Sequence, residues 1–68
     1  MNRYEFRIHG HLGPTFLTAF DGLDAEALPD GDTVLTGNLD DQAALFGVLA
    51  QIESLGLELV EVHRRARP

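Results

Sequence analysis

The chain has no cysteine, no tryptophan and no lysine, and a single serine, Ser54, in its 68 residues. Each absence closes off a class of chemistry. Without thiols there are no disulfides, no thiolate metal sites, no CxxC copper-chaperone pair and no cysteine-held iron–sulfur cluster. No apolar run approaches the roughly 18 residues of a membrane span, and MNRYEFR lacks the apolar core of a signal peptide. The expectation is a cytoplasmic protein with no membrane partner. Basic residues are scarce: five arginines stand against eleven acids, for a formal net charge of −6. That field repels phosphate backbones, so nucleic acid is not an expected partner either. Arg64, Arg65 and Arg67 cluster locally at the C-terminus and read as a solvated tail.

What is present supports one folded domain, residues 1–68. The hydrophobic share of 44% is ordinary for a globular protein. A chain this short buries only about 60% of the surface its unfolded form exposes. With disulfides excluded, self-association is the leading way left to add stability.

YEFRIH, residues 4–9, alternates strictly, with Tyr4, Phe6 and Ile8 on one side, as a strand with one buried face does. Gly10 to Gly13 breaks it. Pro14 suits the first position of a helix of about two turns, which ends at Asp21-Gly22. LDAEAL, residues 23–28, and TVLTG, residues 33–37, form a hairpin around the PDGD turn at 29–32, where Pro29 presets φ and Gly31 supplies a positive one. Residues 40–56 read as the main helix, with Asp40 as its cap, Asp41 favouring the positive end of the dipole, and Gly56 in a left-handed stop. Its apolar stripe is Ala44, Leu45, Val48, Leu49, Ile52 and Leu55. LELVEVHR, residues 57–64, closes as a strand with Val60 and Val62 on one face and Glu61 and His63 on the other. The element order is βαββαβ. A hairpin at the centre and right-handed helical crossovers predict an α+β, ferredoxin-like two-layer sandwich with antiparallel strand order 4-1-3-2.

The run from GHLGP through VLTG to DQAALFGVLAQI and LGLELVEV is similar to a set of small, stand-alone bacterial proteins without assigned function. The length, the element order and the glycine-containing first loop also resemble an ACT domain. That resemblance implies a regulatory module binding a small metabolite, often an amino acid, at a subunit interface. Ile8-His9 stands before Gly10, where that family often carries an acidic residue.

Three candidate sites follow. His9, His11 and His63, with Glu5 or Glu61, have the side chains of a metal site. Antiparallel pairing of the first and last strands, however, holds His9 and His63 roughly 15 Å apart, four or five residues at about 3.3 Å each, so no metal and no cofactor is expected. His9, Gly10, His11 and Gly13 are the candidate ligand-binding residues, since free N–H groups at a helix start attract anions. The simpler reading of RIHGHLGPTF is a strand end, a tight turn and a helix start. Leu35, Phe46, Leu59 and Glu61 are the candidate interface residues. Leu35 and Leu59 have the phase of the open sheet face, rimmed by Glu5, Arg7 and Glu61, and Phe46 lies about 100° from the centre of the helical stripe. No catalytic residue is expected, because Ser54 has no histidine predicted near it. The sequence therefore reads as a non-catalytic protein–protein interaction, accessory or regulatory module, a homodimer joined through its sheet or the subunit of a protein partner. The alternatives are an ACT-like metabolite-binding domain and a small enzyme whose site forms between subunits.

Overall fold

The computed structural model describes residues 2–20 and 22–66. Asp21, expected to end the first helix, and Arg67 of the C-terminal cluster lie outside them. The elements are β1 (Asn2–Ile8), α1 (Pro14–Thr18), β2 (Asp24–Ala27), β3 (Thr33–Leu39), α2 (Gln42–Ser54) and β4 (Leu59–Ala66). The strands form one sheet in the order β2-β3-β1-β4, with every neighbouring pair antiparallel. This is the ferredoxin-like arrangement read from the sequence.

β1 lies inside the sheet, and its alternation builds the core. Tyr4, Phe6 and Ile8 are buried together with Phe20, Leu35 and Ile52. Phe6 stands opposite Leu35 on β3 and Val62 on β4. Phe6, Ile8 and Leu35 are fully buried, each worth about 1.5–3 kcal/mol relative to exposure. Leu35 is therefore not on the open face, as its phase in TVLTG suggested. Cross-strand partners share a face, so pairing with Phe6 turns Leu35 inward and sends Val34 and Thr36, opposite Arg7 and Glu5, outward. Thr33 also faces the core, and its hydroxyl donates to the Gly10 carbonyl at 2.7 Å. Gly37 is buried opposite Tyr4, where a Cβ would collide with Leu23 Cδ2.

The helices differ in strength. α1 has five residues, less than the two turns expected; Pro14 opens it and Gly13 accepts from the amides of Phe16 and Leu17 at 3.1 Å. So short a helix leaves Ala25 and Ala27 of β2 exposed. α2 is capped by Asp41 rather than Asp40, its carboxylate accepting from the Ala44 amide at 2.8 Å. Its far end closes with Gly56 at φ +74, Gly56 N–H to Glu53 carbonyl at 3.0 Å and Leu57 N–H to Ile52 carbonyl at 3.1 Å. That pair of bonds is the Schellman stop, which satisfies carbonyls the helix would otherwise leave open. No helix among the described residues is long and apolar enough to cross a membrane.

β4 contains one irregularity. Arg7 pairs with Glu61 but Ile8 pairs with Leu59, so Val60 is an extra, unmatched residue. A bulge of this kind resets the alternation. Leu59 thereby joins Ile8 and Val62 on the helix side, and the open-face position expected for it is overturned. It lines a groove under the end of α2 with Leu49, Ala50, Ile52 and Leu57.

Candidate functional site

Antiparallel pairing brings the end of β1 beside the start of β3, Ile8 opposite Thr33. The β1–α1 loop and the hairpin turn at 29–32 therefore meet. Arg7 Nε donates to Asp32 Oδ2 at 2.8 Å, and the same guanidinium pairs with Asp30. The other oxygen of Asp32 accepts from the Gly10 amide at 3.4 Å and lies 3.3 Å from His9 Nδ1. The Arg7 hydrogen bond, helped by the Gly10 amide and by charge from Arg7 and His9, holds the Asp32 carboxyl below its ordinary value. The Arg7 guanidinium is raised for the reciprocal reason. His11 Nε2 donates to the Leu28 carbonyl at 3.1 Å. The cluster fastens loop to hairpin, and Asp32 takes the amide that an anion would need.

The open face of the sheet is polar. Glu5, Arg7, Val34, Glu61, His63 and Arg65 line a shallow depression of about 190 Å³ there. Arg65 Nε lies 3.3 Å from Glu5, and His63 Nε2 donates to Glu61 at 2.5 Å. His63 stands opposite Glu5, four residues before His9. No group of three or more metal-ligating side chains gathers among the described residues.

Apolar exposure lies elsewhere, on β4 and the side of α2 next to it. Leu59 and Val62 are each 37% exposed and Val60 is 46% exposed. Ala50 lines the groove between α2 and β4, which measures about 680 Å³. Phe46, 57% exposed, sits one turn before Ala50 and shares its side of the helix.

Residues 3–63 match the family described as Domain of unknown function (DUF8691). The chain belongs to this family. The DUF8691 span includes the whole loop cluster and β4 as far as His63. No curated protein and no solved structure matches the chain.

Within this DUF8691 domain the candidate residues separate into two groups. His9, Gly10 and His11 belong to the loop cluster, while Gly13 caps α1. Of the four interface candidates, Leu35 is core, Leu59 lines the α2–β4 groove, Phe46 is exposed on α2, and Glu61 is exposed on the open face. Sequence reading missed Asp30 and Asp32, taken only as turn residues, and the exposure of Val60 and Val62. The strand order held the signal for the aspartates, since it places the tip of the hairpin beside Arg7.

Proposed function

We propose that this protein is a non-catalytic protein-interaction module that works as a homodimer, with the β4 edge and the adjoining side of α2 as its contact surface. The observation that carries this reading is the consecutive exposure of Leu59 and Val60, then Val62, along a sheet edge beside exposed Phe46. A long, apolar strand edge is a template for pairing, and apolar flanks supply the area that pairing alone does not. The open face, rimmed as expected by Glu5, Arg7 and Glu61, lacks the two leucines that would have made it sticky, so the contact moves from the face of the sheet to its edge.

An ACT-like metabolite site at His9–Gly13 is less well supported, because a ligand there would have to displace Asp32 from the Gly10 amide and His9. The enzyme reading, with a site formed between subunits, would have to start from the His63–Glu61 or His9–Asp32 pair, whose histidines stand in water rather than in a pocket that excludes it.

Light scattering on the purified protein tests the proposal. The chain should have twice its formula mass at micromolar concentration. Val62→Asp and Phe46→Asp should each weaken association at least tenfold while circular dichroism stays unchanged. A monomer at every concentration overturns the reading. A thermal shift with an amino acid, abolished by His11→Ala, would move the assignment to the metabolite site.

A further inference from the structure

The charge order of β4 specifies how two copies would meet, an inference that rests on the homodimer reading above. Glu61, His63 and Arg65 follow one another at alternate positions on the open face, opposite Arg7, Glu5 and Arg3 of β1. The outer side of β4 carries no strand partner among the described residues. Two identical edges joined by a two-fold axis perpendicular to the sheet run antiparallel, and each residue meets one that is its mirror in sequence about the axis. The position of the axis therefore decides every cross-strand pair.

We infer that the axis passes through His63, so that Glu61 of each copy stands opposite the partner's Arg65. This register forms two opposite-charge pairs on the open face, one on each side of the His63 pair. Moving the axis one residue toward the N-terminus, to Val62, puts Glu61 opposite the partner's His63. Each Arg65 then loses an acidic partner. Moving it the other way, to Arg64, puts His63 opposite the partner's Arg65, a basic side chain against another, and Val62 opposite the partner's Ala66. Directly opposed charges of opposite sign favour a register, and like charges disfavour one. On the helix side the His63 register lays the aliphatic stem of each Arg64 over the partner's Val62, covering apolar surface while the guanidinium stays in water.

The same axis explains the composition of α2. Pairing of β4 with β4 makes an eight-stranded sheet with both α2 helices on one side, flanking the axis. The side of α2 toward β4 carries Phe46, with small neighbours at Ala43 and Ala50 that let a second helix approach closely.

The absence of cysteine makes the register directly measurable. A residue on a two-fold axis faces its own copy, at a Cα separation of about 4.5–5.5 Å in an antiparallel pair, which suits a disulfide. His63→Cys should therefore form a disulfide-linked dimer in oxidised glutathione, and it should do so at least tenfold faster than Glu61→Cys or Arg65→Cys alone. Mixing the Glu61→Cys and Arg65→Cys proteins should restore cross-linking as a heterodimer. If the unmodified protein is dimeric but Val62→Cys or Arg64→Cys cross-links fastest, the His63 register is wrong and the homodimer reading survives. If it is monomeric and none of the variants cross-links faster than free collision allows, both fall.

Discussion

β2 runs for four residues, Asp24–Ala27, and β4 for eight, Leu59–Ala66, and they form the two edges of one sheet. β2 is short, carries two alanines on the helix side, and places Asp24 and Glu26 on the open side, opposite Thr36 and Val34. A second β2 laid against it about Ala25 would put Asp24 opposite the partner's Glu26, acid against acid. β4 is twice as long, exposes branched apolar side chains, and carries charges of both signs in an order that complements itself. Natural sheets guard edges with brevity and charge. Here one edge is short and its open side bears acids alone, whereas the other is long and its charges complement their own copies, which is why the contact surface is assigned to β4.

That contrast can be tested from the strand that supports β2 outward. Leu35 lies between Ala25 on β2 and Phe6 on β1. Leu35→Ala should cost about 2–5 kcal/mol in urea unfolding, and both edges should lose protection together in hydrogen exchange. A loss under about 1 kcal/mol would mean that the strand does not face the core. Gly37→Ala forces a Cβ against Leu23, at the entrance to β2, and should cost about 1–3 kcal/mol. Its protection loss should concentrate at Asp24–Ala27 and spare Val62. Equal loss at both edges would mean that the edges are not independent. Asp41→Ala removes the α2 cap and should cost about 1 kcal/mol. Because α2 carries Phe46, this variant should also weaken the dimer, whereas Ala25→Asp on β2 should leave association unchanged.

The smallest effect belongs to acid. Asp32 holds its proton less tightly in the folded protein than in the unfolded chain, so its contribution is fully present above the ordinary aspartate value of about 3.9 and disappears as pH falls below it. Unfolding followed from pH 6 to pH 2 should show a shallower acid loss for Asp32→Asn than for the unaltered protein. Identical slopes would remove Asp32 from the fastening of the hairpin.

The parts of the fold that sequence revealed are those with two independent signals. β1 has strict alternation followed by a glycine break, and α2 has an apolar stripe followed by Gly56. The strand order then follows from connection rules. The errors fall where one local signal was ambiguous. TVLTG has apolar or β-branched residues in both phases, so only the pairing of Leu35 with Phe6 decides which faces inward. Asp40 and Asp41 are both competent caps, and the choice between them depends on where the backbone enters α2. Of the candidate site, Phe46 was visible as a residue outside the stripe. Leu59 was misplaced because periodicity assumes an unbroken strand. The clasp around Asp32 joins segments more than twenty residues apart, and it became visible only once the hairpin tip was laid beside Arg7.

The unmatched Val60 makes the last strand a phase shifter. Everything before it in β4 is presented to the opposite side of the molecule from where simple counting would put it. Deleting that one residue would join Leu59 directly to Glu61 in an unbroken strand and leave it opposite Ile8, on the greasy underside. A one-codon deletion there would thus straighten the strand while keeping the same side chains toward the helices.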